Sequence, residues 1–144
     1  MRAVAMIAVA CLLVPAAARA ASCQNLSAML TFGPTPYNVY SATDTTQVGS
    51  ISYKCPQPLS PVVSLSASAN GAYRPRQMTS GANTLNYDLY SDAAMTTLWG
   101  VGADSRPVPS GGGTTTVPLY GRIFALQDAA VGSYSDTIVV TFNF

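Results

Sequence analysis

The 144-residue sequence contains no histidine, and only 9% of its residues are charged. Glutamate is also absent, so all of its acidic residues are aspartates. Histidine and glutamate are frequent general acids and bases, and their absence removes the Ser-His-Asp arrangement and most zinc sites. No basic patch is present for nucleic-acid phosphates. The composition therefore disfavours the common classes of enzyme and nucleic-acid-binding protein.

The aspartates do not form a catalytic or metal-binding pattern. The Asp-x-Asp-x-Asp-Gly spacing of a calcium loop is missing. Asp88 and Asp136 could form the acid pair of a glycoside hydrolase, but nothing in the sequence brings them together. An ordinary role in turns or in solvent is the favoured reading of both. We expect no catalytic residue, no metal site and no cofactor.

The first twenty residues have the organisation of a secretory signal peptide. Arg2 precedes an apolar run over residues 3–14 that is too short to span a bilayer as a helix. Small residues follow at the positions that a signal peptidase reads, and we expect cleavage after Ala20. Residues 1–20 are thus predicted to be a signal peptide, and residues 21–144 a single exported domain with no membrane-spanning segment. A buried N-terminal helix and a lipoprotein signal are the less favoured alternatives.

Two cysteines remain after the predicted cleavage. Cys23 and Cys55 form an even pair in an exported protein, which predicts a disulfide. Closing a loop of about thirty residues stabilises a fold by about 3–4 kcal/mol in the chain-entropy model. The alternative of two free thiols does not suit an oxidising compartment.

Apolar and polar residues alternate in short runs that are bounded by Gly, Pro, Asn or Asp. This pattern predicts an all-β sandwich or barrel. No window has a convincing helical period. Pro118 suggests an edge or a bulge within its strand. The predicted strands cover residues 27–32, 48–55, 62–67, 85–90, 114–124 and 133–144, with short extended pieces at 76–78 and 96–99.

The last run is the most informative local feature. Its alternation continues to Phe144, and two readings of it stay open: a strand docked in a complete sheet, or a strand beside an open groove. An open edge calls for a partner strand, and strand addition from another chain is a known recognition mode. The residues of one face are Ile138, Val140, Phe142 and Phe144, and those of the other are Thr137, Val139, Thr141 and Asn143.

Aromatic residues offer an alternative function, because exposed rings can stack on sugars. In a β-rich chain, however, aromatic side chains belong more often to the core or to cross-strand pairs. The candidates for a sugar platform are Tyr37, Tyr40, Tyr73 and Trp99.

Several blocks, taken in order, resemble the spore coat protein U family, which includes subunits of archaic chaperone–usher pili. Together they cover nearly all of residues 21–144. The blocks are Cys23 with Leu30-Thr31-Phe32-Gly33, then Gly49 to Cys55, Val63 to Ser66, Arg76 to Met78, Leu85 to Tyr90 with Trp99-Gly100, Tyr120 to Ile123, and Gly132 to Phe142.

The resemblance implies an immunoglobulin-like β-sandwich that lacks its final strand. In such subunits a periplasmic chaperone lends a strand beside the C-terminal one, and the N-terminal extension of a neighbouring subunit later replaces it. The Cys23–Cys55 pair would be the family disulfide. The implied partners are a periplasmic chaperone, an outer-membrane usher and other pilus or coat subunits. The groove for the partner strand would be bordered by Tyr134, Ile138, Val140, Phe142 and Phe144.

One departure from the pilin pattern changes the expected role. Only Ala21 and Ser22 precede Cys23 after the predicted cleavage, whereas a donor strand needs about ten residues of alternating apolar character. We therefore expect a chain that accepts a strand without donating one. It would terminate an assembly as a tip or cap, or act as a coat protein without linear polymerisation. Tip subunits of the family usually carry two domains, and this chain has one.

The leading prediction is a secreted structural subunit of a bacterial surface assembly, a pilus or a coat, and not an enzyme. It would pass through the periplasm and reach the cell surface or the medium. The alternative is a self-contained secreted glycan-binding module.

Overall fold

The computed structural model describes residues 22–33 and 37–144. The predicted signal peptide, residues 1–20, lies outside the described residues. A single 3-10 turn, Gly102–Asp104, is the only helical element in the described part of the chain. The prediction of an all-β protein is confirmed. The strands are β1 (Gln24–Met29), β2 (Thr45–Lys54), β3 (Val62–Leu65), β4 (Arg76–Ser80), β5 (Asn83–Tyr90), β6 (Arg106–Pro107), β7 (Thr114–Ile123) and β8 (Val140–Asn143).

The strands form two antiparallel sheets that pack as a sandwich. The larger sheet has the order β1-β2-β7-β5-β4, and the smaller has the order β6-β3-β8. The longest pairing joins β2 to β7 over ten residues, from Thr45 opposite Ile123 to Lys54 opposite Thr114. The sandwich is therefore asymmetric, with five strands in one layer and three in the other.

Pro118 lies within β7, a central strand, without forming a bulge. The residue sits opposite Ser50 of β2 in an unbroken register. On its other side β7 pairs with β5 only from Tyr120 to Ile123. Pro118 thus lies where one side of β7 has no neighbour, and a missing N–H is tolerated there.

The first and last predicted strands differ most from the structure. The first was expected over residues 27–32, but β1 ends at Met29, and Leu30 and Phe32 instead lie over the larger sheet. The last was expected over residues 133–144, but only Val140–Asn143 is a strand. Residues 133–139 cross from one sheet to the other and cannot stay in a single ladder. The extended piece at residues 96–99 is reduced to one bridge between Leu98 and Tyr90.

The core consists of the inward positions of the alternating strands. In β2 these are Ile51 and Tyr53, and the ring of Tyr53 packs at 5.0 Å from that of Phe142 on β8. Trp99 is 1% exposed, and its indole N–H donates to the carbonyl of Val63 at 3.0 Å. The other core side chains are Cys55, Val63, Leu65, Met78, Leu85, Tyr87, Leu89, Leu119 and Ile123.

A buried arginine joins the two sheets. Arg76 begins β4 in the larger sheet and is 0% exposed. Its guanidinium donates to the carbonyls of Ser66 at 3.0 Å, Leu65 at 3.1 Å and Trp99 at 3.0 Å. Its Nη1 lies 3.5 Å from the carboxylate of Asp88, which is also buried. The planar, multi-donor head of arginine suits this set of acceptors.

The predicted disulfide is present and joins Cys23, just before β1, to Cys55, just after β2. It fixes β1, one of the two edge strands of the larger sheet, to its neighbour β2. Within residues 22–33 and 37–144, no helix has the length and apolar character needed to cross a membrane.

Replacing Arg76 with lysine should lower the free energy of unfolding by about 2 kcal/mol or more, because a single ammonium cannot satisfy three carbonyls and Asp88. Urea unfolding followed by Trp99 fluorescence measures the change. Arg74→Lys is the matched control, because the Arg74 side chain is 49% exposed and its pair with Asp104 should contribute about 0–1 kcal/mol. Equal losses in the two variants would contradict a clamping role for Arg76.

Gly49→Ala should destabilise the fold by about 1–3 kcal/mol, because the added Cβ would collide with the carbonyl oxygen of Met29 and lie 2.9 Å from the Cα of Leu30. Gly111→Ala is the control, since nothing lies within 4 Å of its Cβ position. Thermal unfolding of both variants tests the prediction. A melting temperature for Gly49→Ala that matches the control would show that the chain after β1 does not pack this closely on β2.

Candidate functional site: an apolar groove between the sheets

One side of the sandwich is open between an edge strand of each sheet. In the described part of the chain, β1 pairs only with β2, and β8 pairs only with β3. A groove with a volume of 1240 Å³ lies between these edges. Protein cores rarely contain voids larger than a water molecule, and even an engineered core cavity is about 150 Å³. The groove is therefore a feature of the architecture and not a packing defect.

The inner face of the larger sheet forms the floor of the groove. Its lining side chains are core residues from three strands, which explains the apolar character of the floor. They are Met78, Leu85, Tyr87, Leu89, Leu119 and Ile123.

The chain that follows β1 forms one wall. Leu30 and Phe32 lie over Gly121 of β7, where a Cβ would come within 2.8 Å of both side chains. The ring of Phe32 meets that of Tyr87 edge-on at 6.3 Å. Farther along, the hydroxyl of Tyr37 donates to the carbonyl of Phe124 at 2.7 Å. Because Gly121 on the central strand β7 has no side chain, this wall can pack directly against the sheet.

The terminal segment, residues 133–144, forms the opposite wall. Four of the five predicted groove residues, Tyr134, Ile138, Val140 and Phe142, are half-buried and pack against the core. Phe144 is 58% exposed at the end of the segment. A smaller cavity of 140 Å³ prolongs the groove between β1 and β8, where it is lined by Leu26, Ser27, Ala28, Ile51, Val140 and Phe142.

Backbone hydrogen bonds hold this wall to both sheets. Ser135 and Thr79 of β4 exchange two of them, at 2.8 and 3.1 Å. Ser66, just after β3, donates its N–H to the carbonyl of Val139 at 3.0 Å and accepts the Val139 N–H on its hydroxyl at 2.9 Å. Because the segment is tied to both layers, the wall stays in place beside the open groove.

Asp136 belongs to the same inward-facing alternation as Tyr134 and Ile138. One carboxylate oxygen accepts the hydroxyl of Tyr87 at 2.6 Å, and the other accepts the amides of Ala69 at 2.9 Å and Thr137 at 2.8 Å. The sequence favoured a role in a turn or in solvent for this residue, because nothing in the sequence placed it beside a partner. The alternation itself was the signal that placed it in the groove.

These contacts determine the charge of the pair. Burial raises the pKa of Asp136, but the hydrogen bonds from Tyr87 and the backbone amides outweigh burial and leave the pKa below its usual value. Burial and the adjacent carboxylate raise the pKa of Tyr87 well above its usual 10.0. At neutral pH the site therefore holds an ionised carboxylate and a neutral phenol.

The structure does not assemble the other sites considered from the sequence. Trp99 is in the core, so it cannot stack on a sugar, and the rings of Tyr37 and Tyr73 are half-buried; Tyr40 is 89% exposed. The two aspartates considered as an acid pair have other partners. Asp88 pairs with Arg76, and burial raises the pKa of Asp88, whereas Asp136 accepts a hydrogen bond from Tyr87. Among residues 22–33 and 37–144, no group of three Cys or Asp side chains could hold a metal ion.

Asp136→Asn should reduce the free energy of unfolding at pH 7 by about 1–2 kcal/mol, because hydrogen bonds to a charged acceptor are replaced by bonds to a neutral one. A carboxylate with a lowered folded-state pKa stabilises above the unfolded pKa of about 4, and this contribution is lost as pH falls through the folded pKa. The difference from the wild type should therefore shrink below about pH 4. Urea unfolding between pH 3 and pH 7 measures it, with the exposed Asp128→Asn as control. A difference that stays constant with pH would contradict an ionised Asp136.

Comparison with known proteins matches this fold and sequence to one family. The model of the Spore Coat Protein U domain matches residues 8–141, a span that begins inside the predicted signal peptide. Protein U of Myxococcus xanthus is 29% identical over 123 residues, which cover 79% of this chain and 69% of that protein.

A solved structure shares the fold. It is the crystal structure of the CsuC–CsuE chaperone–tip adhesion subunit pre-assembly complex from the archaic chaperone-usher Csu pili of Acinetobacter baumannii, with a TM-score of 0.59 and 20% identity. The match covers 85% of this chain and only 40% of that one. The resemblance seen in the sequence is confirmed, and the chain belongs to the Spore Coat Protein U domain family.

Proposed function

We propose that this chain is a structural subunit of a bacterial surface assembly, a pilus or a coat, and that a strand from another chain completes its sandwich. The observation that carries the proposal is the open apolar groove between β1 and β8. A strand laid beside β8 would pair with its free edge and place alternate side chains on the core.

The size of the groove gives an energetic reason for a partner. Four inward Val or Ile side chains from an added strand would contribute about 6–12 kcal/mol before ordering costs. The whole stability of a typical domain is about 5–15 kcal/mol. A strand in the groove would therefore rival the rest of the fold as a source of stability, which suits a subunit that is protected until it is assembled.

The similar proteins indicate which partners are the best candidates. The solved neighbour is a pilus tip subunit in complex with its chaperone. By analogy, a periplasmic chaperone would fill the groove first, and a neighbouring subunit would fill it in the final assembly after export through an outer-membrane usher. The exported domain would be residues 21–144. The terminator role stays a prediction that rests on cleavage after Ala20.

A self-complemented fusion tests the proposal. A flexible Gly/Ser linker of about ten residues after Phe144 would carry a ten-residue strand with Val at alternate positions. We expect the melting temperature to rise by more than about 10 °C, because several large apolar side chains become buried. The control fusion carries the same residues in an order without alternation, and it should not produce this rise.

A pair of lysine variants of the fusion locates the added strand. Val140 lines both cavities, whereas the adjacent Val139 faces outward and is 61% exposed. Val140→Lys should abolish most of the gain, and Val139→Lys should preserve it. If the fusion melts at the temperature of the unfused chain, or if the two lysine variants behave alike, the sandwich is self-contained and the proposal is wrong.

A further inference from the structure

The groove contains a single charged side chain among the described residues that line it, and that residue is Asp136. It lies on the inward face of the terminal wall, between Tyr134 and Ile138 in the alternation. Both of these neighbours are partly buried against the core. An occupant of the groove would therefore pass over one ionised carboxylate in an otherwise apolar and neutral lining.

Hydrogen bonds from its own chain hold the carboxylate in place at the groove. Two carboxylate oxygens offer about four acceptor positions. Tyr87, Ala69 and Thr137 occupy three of them in the structure. The Ser68 hydroxyl also lies close enough to lower the pKa of this carboxyl by a hydrogen bond, so a donor on an occupant would share the carboxylate with these groups.

We infer that the strand that fills this groove carries a lysine, an arginine or a neutral hydrogen-bond donor at the inward position beside Asp136, and no acidic residue there. The inference rests on the proposed function and specifies the chemistry of the partner. Its remaining inward positions are apolar, to match the floor formed by β4, β5 and β7.

Desolvation is the physical reason. Covering an ionised carboxylate with an apolar side chain removes its water without replacing the hydrogen bond, which is costly. A cationic or polar donor restores that hydrogen bond, and a cation adds charge attraction. A second carboxylate at the same position would be repelled, and like-charge juxtaposition is a recurrent means of rejecting a wrong partner.

Synthetic peptides added to the purified chain test the inference. A fluorescently labelled ten-residue peptide with Val at every inward position is the reference probe. In three further series, Lys, Thr or Glu replaces Val at each inward position in turn. Fluorescence anisotropy gives the dissociation constants. At one position, and not at the others, we expect the Lys peptide to bind about tenfold more tightly than the Glu peptide, equivalent to about 1.4 kcal/mol.

Two variants assign that preference to Asp136. Asp136→Asn should remove most of the difference between the Lys and Glu peptides, and Asp128→Asn, which makes the same charge change at an exposed position, should keep it. Should Asp136→Asn fold poorly, the wild type still provides a test. The advantage of the Lys peptide should fall as salt rises, while binding of the all-Val peptide should not weaken.

The outcomes separate the inference from the proposed function. If no peptide binds, including the all-Val reference, the strand-acceptor function is wrong, and the inference is wrong with it. If the all-Val peptide binds but no position discriminates Lys from Glu, the function stands and the inference is overturned. It is also overturned if the preference survives in Asp136→Asn or does not respond to salt.

Discussion

The inner face of the five-stranded sheet is wider than the three-stranded sheet that covers it, and the rest of the architecture depends on this mismatch. Apolar surface must be covered by another layer, and three strands leave the side between β1 and β8 without cover. The chain after β1 fills part of the gap with Leu30 and Phe32. What remains is the groove of 1240 Å³, which is bounded by two free strand edges.

A sandwich with an open side needs other means to keep its layers together, and the described residues supply two. Arg76 ties the larger sheet to the end of β3 through carbonyls of both Leu65 and Ser66. The Cys23–Cys55 bridge ties β1, whose residues are all exposed, to β2, which contributes Ile51 and Tyr53 to the core. Both devices are internal to the chain, and they hold elements that border the groove: β1 on one side and the end of β3 on the other.

The sequence predicted the strands well where alternation alone decides burial, as in β2, β5 and β7. The predicted strands were too long where the chain leaves one sheet, after β1 and before β8. The turn after Met29 depends on the space above Gly49 and Gly121, and the crossing of residues 133–139 depends on partners at Thr79 and Ser66, which are distant in sequence. The resemblance to a family suggested the open groove. It did not indicate that Asp136 is the one charged side chain among the described residues that line it, because nothing in the sequence placed that carboxylate beside a partner. Arg76 was likewise placed in a short strand with no sign that it would be buried.

Asp136 bears on how the proposed strand acceptor would select its partner. Main-chain pairing along β8 would accept any extended segment, because backbone hydrogen bonds carry little sequence information. The apolar floor requires apolar side chains at alternate positions of the added strand. Adding or removing one methylene on such a side chain changes the binding free energy by only about 1–3 kcal/mol. An ionised carboxylate acts differently from these apolar contacts. The three hydrogen bonds from its own chain favour its ionised form, and covering that form with an apolar side chain is costly. In a chain with so few charges, a single charged position in the groove would therefore add a selection by charge that the surrounding apolar contacts cannot supply.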